Sequence, residues 1–500
     1  KMQLNTPIKI LGALGAGACL PLSLAPFSIW PMAILSMAFL FYVITDQSPK
    51  RTFIISALFG LGMFGTGTSW VFVSMHSFGG VTALFSIVGT ILFCLLNAIV
   101  FAIPFSLHPF FANKRLAILL GLPALWVLSE WIRSWIFTGF PWLYAGYSQT
   151  DTWLNGWAPL GGIYLLSYFC GLMAAVIAQA YRNSSPQAIT VSLALIVALF
   201  ISGYGMKKIE WTQPINKAIS VALIQPNIDQ NDKWSLSMRN RILEQLATQT
   251  QPHWGTDIIL WPEGSIPAVY TQITPFISQL HQMGLQHKTA LIVGLPVNTN
   301  PAGPYYNAML ALGAGQGRYD KTRLVPFGEY VPFEDLIRGL NNFFDLPMSS
   351  FSWGTRNQSP LIVRDTRIAT AICYEIAYPD LVAGNSRNSN MLLTVSNDAW
   401  FGNSIAPHQH MQMARMRAIE AAKPLIRGTN NGITAVVDYR GQTVQQLSQF
   451  ETAVLLSRIE PREGNSLFTL LGSWPIILLS LLTVACLIFG NLRRSQPEIP

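Results

Sequence analysis

Apolar positions follow two different rhythms along this 500-residue chain. Up to residue 206, and again beyond residue 465, they form long runs with few interruptions. Between those limits they come in short bursts separated by polar turns. A bilayer crossing needs about 20 mostly apolar residues, and residues 10–45 and 52–113 contain no charged side chain at all. Pro21, Pro26 and Pro31 divide the first of these stretches, and a polar turn at 75–80 divides the second. The pattern predicts spans at 8–24, 27–44, 53–73, 81–107, 116–137, 162–181 and 188–206, with an eighth at 467–492. In the middle block, 220–225, 257–261, 290–295, 308–312, 366–373 and 390–396 read as buried strands, extended by 432–438 and 453–458. Segments 239–250, 273–287 and 408–422 read as helices. Strands alternating with helices predict an α/β sandwich. The expected architecture is a polytopic α-helical membrane protein of about eight spans. Residues 1–206 would carry seven, 207–465 a single α/β domain, and 466–500 the eighth with a tail.

Composition sharpens this picture. Hydrophobic residues make up 51% of the chain and charged residues 11%, against roughly 25% charged in soluble proteins. Disorder and collagen are excluded, and five cysteines are too few for a disulfide scaffold. A net charge of +8 would admit a nucleic-acid binder, but residues 1–206 hold +5 of it and 207–465 only +2. A DNA-binding domain would show the reverse, so no nucleic-acid partner is expected. The positive charges instead mark one side of the membrane. Lys1, Lys9, Lys50, Arg51, Lys114, Arg115, Arg182, Arg493 and Arg494 fall in alternate loops or at the ends, while the other loops carry only Asp151. The positive-inside rule then predicts cytoplasmic termini and an extracytoplasmic 207–465 block, with Lys207 and Lys208 as a local exception. No cleavable leader is expected. Glu130 and Arg133, spaced i and i+3, are expected either as an interfacial pair at the outer end of span five or as a lipid-headgroup contact.

Three strand ends carry chemistry. Glu263 follows a buried strand in Trp261-Pro262-Glu263, Lys321 follows another in Tyr319-Asp320-Lys321-Thr322-Arg323, and Cys373 ends a third in Cys373-Tyr374-Glu375. Carboxyl ends of strands are where ligand-binding groups converge in α/β sheets. If the three meet, a carboxylate can deprotonate a thiol, and an ammonium can favour the thiolate and hold an oxyanion. That set makes a covalent acyl-transfer site. Cys19, Cys94, Cys170 and Cys486 lie in apolar runs and read as small hydrophobes. Cys373 is alone in the middle block, where an unpaired thiol suggests reactivity.

These segments, together with the Leu324–Pro332 run LVPFGEYVP, resemble the nitrilase or carbon-nitrogen hydrolase superfamily. With seven predicted spans before the domain and one after, the chain resembles that superfamily's membrane-bound branch, the apolipoprotein N-acyltransferases of Gram-negative bacteria. The resemblance implies a nitrilase-like αββα domain in the periplasm and an inner-membrane location. It implies Glu263 as general base, Lys321 as oxyanion stabiliser and Cys373 as nucleophile, supported by Glu329, Glu375 and Tyr374. Trp234 and Asn307 are expected along the substrate path. The implied partners are a phospholipid acyl donor and a diacylated lipoprotein acceptor, with no cofactor and a monomeric state.

The loop 340–353 adds Phe343, Phe344, Met348 and Phe351 as expected lipid contacts in a lid over the acyl channel; an ordinary core loop is the alternative. His408 and His410 lack a third metal ligand at suitable spacing and are expected at a helix start or on the domain surface. Asn397 and Asp398 are expected to be structural or to line the pocket. Glycines within 60–67 lack a phosphate-loop lysine and suit close helix packing. Two rival readings remain open at this level: a membrane-tethered amidase, and a transporter with an inactive outer domain. A mobile lid predicts that lipid protects 340–353 from limited proteolysis; identical cleavage with and without lipid would remove the lid.

Overall fold

A computed structural model describes residues 6–215, 217–298, 300, 303–326, 328–330 and 351–494. It resolves into two compact units. The first comprises Lys1–Phe72, Thr82–Glu210 and Leu471–Pro500; the second comprises Val73–Val81 and Trp211–Leu470.

The first unit is helical. Among the described residues, four helices are long and apolar enough to cross a membrane: Ala83–Phe110, Lys114–Arg133, Trp153–Asn183 and Pro186–Met206. A fifth candidate, Pro49–Gly67 with Val71–Phe78, is bent by 55°, and Pro7–Ser23, Pro31–Ile44 and Trp474–Gly490 are shorter apolar helices. Leu84, Phe85, Ile91 and Leu92 on one helix, and Val191, Leu193, Val197 and Ile201 on another, point outward. Such an apolar face would be unfavourable in water and suits lipid. Close packing holds at Gly60, Gly62 and Gly67, where a Cβ on Gly62 would collide with the Leu14 carbonyl, but not at Gly65, which has open space beside it.

Glu130 and Arg133 depart from expectation. Both are buried inside this unit, not at its outer surface. Glu130 Oε1 accepts from Trp126 Nε1 at 2.8 Å and from the Ala145 N–H at 2.7 Å. Arg133 Nη1 donates to the Trp142 carbonyl at 2.8 Å, and its guanidinium lies over the Phe64 and Tyr144 rings. In low dielectric each of these hydrogen bonds is stronger than it would be in water.

The second unit is built around two large sheets, with a small antiparallel pair formed by Gln213–Pro214 and Arg462–Glu463. In chain order its main strands are β1 (Ile219–Gln225), β2 (Ile258–Leu260), β3 (Ala290–Val297), β4 (Tyr306–Gly313), β5 (Gly315–Gln316), β6 (Arg318–Asp320), β7 (Leu361–Val363), β8 (Thr366–Ile372), β9 (Met391–Ser396), β10 (Leu425–Thr429), β11 (Ala435–Val437), β12 (Thr443–Gln446) and β13 (Ala453–Ile459). Among the described residues one sheet runs β13-β1-β2-β3-β4-β6 and the other β12-β11-β10-β9-β8-β7-β5. The triplets β1-β2-β3 and β8-β9-β10 are parallel, and antiparallel strands flank them. Alternation within β1 shows why its sequence is apolar throughout. Val221 and Leu223 join Ile258, Leu260, Ile368, Ile372, Leu393 and Val395 in the core between the sheets. Ala222 and Ile224 join Ile259, Leu291 and Val293 against helices α1 (Arg239–Thr250) and α2 (Thr274–His287), through Ile242, Leu246, Ile277 and Leu280. A strand buried on both faces has no polar side to display. On the second sheet, α3 (Pro379–Ser386) and α4 (Ala406–Ala421) complete the αββα layering.

One glycine fixes the path of the chain at Glu263. A Cβ on Gly294 in β3 would lie 2.5 Å from the Pro262 carbonyl oxygen and 3.0 Å from the Glu263 Cα. The Ile266 N–H and the Ser265 hydroxyl both donate to the Gly294 carbonyl at 3.1 Å, holding the turn on the strand. Gly294→Ala is therefore expected to cost about 1–3 kcal/mol in unfolding experiments in detergent. An unchanged midpoint would mean that the turn can yield.

Candidate active site

Three short turns, each leaving a strand end, bring the predicted residues together. Glu263 stands three residues beyond β2, Lys321 directly follows β6, and Cys373 directly follows β8. The first two come from one sheet and the third from the other.

Lys321 is wholly buried. Its Nζ donates to Glu263 Oε1 at 3.0 Å and to the Glu329 carboxylate at 2.9–3.0 Å. An ammonium has three hydrogens, so one remains for a substrate oxygen. Burial alone would lower its pKa, but the two carboxylates overcome this and raise it well above the ordinary lysine value, so it stays charged. Glu263 shows the converse. Burial would raise its carboxyl, yet Lys321 and Asn307 hold it below the ordinary 4.5. It is therefore anionic at neutral pH. The stability lent by this pairing is present above 4.5 and lost as pH falls through the lowered value. Asn307, expected on the substrate path, instead has its amide engaged: Nδ2 donates at 2.8 Å to both Glu263 Oε1 and Glu329 Oε1. Glu263 Oε2 accepts only the Asn397 N–H, at 3.0 Å, among the hydrogen bonds of the described residues. It keeps a lone pair for a thiol proton.

Cys373 is half-buried and has φ +51°. A left-handed conformation at a non-glycine residue costs roughly 1–3 kcal/mol and persists only where neighbours enforce it. Glu375 is the enforcer. Its Oε2 accepts the Ile372 N–H at 2.8 Å and the Tyr319 hydroxyl at 3.0 Å. Its Oε1 accepts the Thr322 N–H at 2.6 Å, the Thr322 hydroxyl at 2.8 Å and the Arg323 N–H at 3.1 Å. One carboxylate thus clamps the turn after Lys321 to the turn that bears Cys373. The thiol is pushed far up by burial and further by Glu263, while Lys321 acts in the opposite sense. It rests protonated and needs a base. Tyr374 packs edge-on against Tyr378, ring centroids 5.4 Å apart, and Trp234 is half-buried.

The sequence reading of the lid meets the structure only in part. Phe343, Phe344 and Met348 lie outside the described residues. Phe351 is not an exposed lid residue: it is buried, its N–H donates to the Glu329 carbonyl at 3.1 Å, and it pairs with Tyr305. Those backbone bonds draw it inward, beside a carboxylate that binds Lys321. Trp353 is exposed and rests on the Tyr330 ring.

His410 meets the expectation of a helix start but not that of a surface position. It sits within α4, fully buried, with Nδ1 3.2 Å from Asp398 Oδ1 and Nε2 2.9 Å from the Cys373 carbonyl. Buried polar partners at both ring nitrogens, with Arg427 Nη2 also 3.1 Å from Nδ1, explain why it is not at the surface. Among the described residues no group of His, Cys, Asp and Glu could hold a metal ion. Lys233 was not singled out from the sequence, because it stands in a polar turn with no periodicity. It is buried, with Nζ 3.3 Å from the Glu263 carbonyl. Burial pulls its ammonium down to about 8, against the influence of Glu263 and Cys373.

A family profile described as apolipoprotein N-acyltransferase N-terminal domain matches residues 16–176, and one described as carbon-nitrogen hydrolase matches residues 220–465. The chain is 42% identical to the apolipoprotein N-acyltransferase of Vibrio parahaemolyticus, covering 93% of this chain and 94% of that protein. It is 40% identical to that of Pseudomonas syringae, with 94% of each covered. Among solved structures, a carbon-nitrogen hydrolase from Helicobacter pylori aligns with a TM-score of 0.36 at 13% identity, over 56% of this chain and 96% of that one.

The Lys233 charge is present below a pH of about 8 and lost above it. A positive charge beside the sulfur favours its thiolate. Lys233→Met is expected to slow iodoacetamide labelling of Cys373 about tenfold near neutral pH and to have little effect well above that midpoint. Equal slowing at both pH values would indicate a steric effect.

Proposed function

The chain belongs to the apolipoprotein N-acyltransferase family, and from that premise we propose that it moves a fatty acyl chain from a phospholipid to the α-amine of a diacylglyceryl-cysteine lipoprotein. The observation that carries this reading is the buried ion cluster beside a half-buried thiol: anionic Glu263, charged Lys321 and protonated Cys373.

In the first half-reaction Glu263 takes the thiol proton as the sulfur attacks the acyl ester carbon. Oxyanion charge develops where Lys321 has a hydrogen to spare. Collapse of the tetrahedral species releases the lysophospholipid alkoxide, which recovers the proton from Glu263, and leaves a Cys373 thioester. In the second half-reaction the lipoprotein amine attacks the thioester. Glu263 accepts an amine proton and returns it to the departing sulfur, so the enzyme is restored and the product is an amide. The exchange is ping-pong, and a thioester gives way readily to the more stable amide. Glu329 holds Lys321, and Glu375 holds the two turns in register. Tyr374 and Trp234 border the path of the acyl chain, with Phe343, Phe344 and Met348 as further lipid contacts.

Both substrates carry lipid, which accounts for the apolar helices. In this reading the bent pair and the three shorter apolar helices also cross the bilayer. That gives eight spans, with the termini in the cytoplasm and the nitrilase-like domain on the periplasmic face of a Gram-negative inner membrane. The positive charges in alternate loops support that orientation.

Incubation of purified protein with a phospholipid labelled in its acyl chain should yield a hydroxylamine-sensitive adduct on Cys373, discharged by a diacylated lipopeptide. Cys373→Ala should form none. Cys373→Ser should turn over at least a thousandfold more slowly, since an alkoxide is harder to form and an ester is a poorer acyl donor to an amine. An adduct that survives in Cys373→Ala, or discharge to water alone, would overturn the proposal in favour of another nucleophile or of a hydrolase.

A further inference from the structure

Against Cys373 stands a cluster of buried polar side chains that the Glu263–Lys321–Cys373 chemistry does not use: Ser396, Asp398, His410 and Arg427. They form a chain that begins and ends on Cys373. Ser396 Oγ lies 3.3 Å from Cys373 Sγ and 2.5 Å from Asp398 Oδ1. Asp398 Oδ1 lies 3.2 Å from His410 Nδ1, and its Oδ2 accepts from Arg427 Nη2 at 2.8 Å. His410 Nε2 returns to the Cys373 carbonyl at 2.9 Å. A carbonyl oxygen can only accept, so Nε2 carries hydrogen. That bond pins the carbonyl of the residue whose φ is +51°. Gly432 fits the arrangement, since a Cβ there would collide with the Asp398 carboxylate.

The Ser396 hydroxyl has a single hydrogen and two candidate acceptors. While the thiol is protonated, the carboxylate is the stronger acceptor, and the thiol hydrogen can point at the Ser396 oxygen. Once Glu263 has taken that proton, the sulfur is an anion and competes for the hydroxyl hydrogen. Asp398 can release it without being stranded. Burial would raise its carboxyl, but Arg427 and His410 hold it well below the usual carboxylate range, and both contacts remain.

We propose that Ser396 is a catalytic hydroxyl of the acyl-transfer site, which turns its hydrogen bond from Asp398 to the Cys373 thiolate as that anion forms. Asp398, His410 and Arg427 are positioning residues: they orient the hydroxyl and hold the backbone of the nucleophile. The proposal rests on the reading of Cys373 as nucleophile. No proton leaves Ser396 at any stage. The thiol proton goes to Glu263, the sulfur electron pair goes to the acyl carbon, and only the acceptor of the serine hydrogen bond changes. The same bond receives the sulfur when the thioester is cleaved by the amine.

The test uses the full chain in detergent and reads the thiol directly. Iodoacetamide labelling of Cys373 is followed against pH by peptide mass spectrometry, with Cys19 and the exposed Cys486 as internal references. Glu263, Lys321, Lys233 and Asp398 also act on or stand beside this sulfur, and all four stay in place in the variants. Ser396→Ala is expected to slow labelling about tenfold at every pH below the thiol's own titration, the effect of making the thiolate harder to form by about one pH unit. In acyl transfer it should lower kcat about tenfold with KM unchanged, while Ser396→Thr, which keeps the hydroxyl, should recover most of the loss. Superimposable labelling curves for wild type and Ser396→Ala, or Ser396→Thr no better than Ser396→Ala, would overturn the proposal. Should Ser396→Ala not fold, Ser396→Gly carries the same labelling test, and a curve superimposable on that of the wild type overturns the proposal. Persistence of the acyl adduct in Cys373→Ala would instead remove the nucleophile reading itself, whatever Ser396 does.

Discussion

Taking the Lys321 ammonium out of water costs several kcal/mol of hydration, and in this fold that cost is offset by two carboxylates within 3.0 Å. Much of the site's arrangement depends on that compensation. Glu263 reaches the ammonium because Gly294 lets the turn after β2 lie flat on β3. Glu329 reaches it with its own Oε2 held by the Val325 N–H at 2.8 Å. Asn307 donates one amide group to both carboxylates, which keeps them apart and aligned. The result is a carboxylate that stays ionised and an ammonium that stays charged at neutral pH.

A thiol in such surroundings is a weak acid at rest, because burial and a neighbouring carboxylate both oppose the thiolate. That suits a covalent acyl carrier. In the proposed reaction the sulfur would become nucleophilic only when a carbonyl is at hand to take its electron pair, so a resident thiolate would not be exposed to oxidation. The strained backbone at Cys373 serves the same end: a left-handed residue between β8 and a short 3-10 turn projects the sulfur from the sheet edge. Glu375 and His410 provide the hydrogen bonds that keep it there.

The helical unit solves a different problem with related means. Its outward faces are apolar on Ala83–Phe110 and Pro186–Met206, while Glu130 and Arg133 are turned inward and given backbone and aromatic partners. The sequence placed these two residues in an apolar helix but could not give their facing, because i and i+3 spacing is compatible with either side.

Strand identity and order of chemistry were legible because they are local. Runs such as 290–295 and 390–396 alternate between two buried faces, and that shows as unbroken apolarity. Glu263 and Cys373 each end such a run, and Lys321 follows the run 308–312 at a distance, so a rule about strand ends points to the three from the chain alone. What the chain could not disclose is which turns meet, since Glu263 and Cys373 arrive from different sheets. Glu375 read as a neighbour of Cys373, yet its main work is to grip Thr322 and Arg323, some 50 residues earlier. Lys233 sits in a featureless turn, and Arg427 interrupts an apolar strand, a signal that was available and passed over. His410 looked like a surface residue because a single histidine on a helix says nothing of what lies behind it. Local alternation fixes elements, and it does so at the range of a few residues. The acidity of a thiol depends on charges and donors gathered within a few ångströms from distant parts of the chain, and only tertiary packing decides which ones arrive.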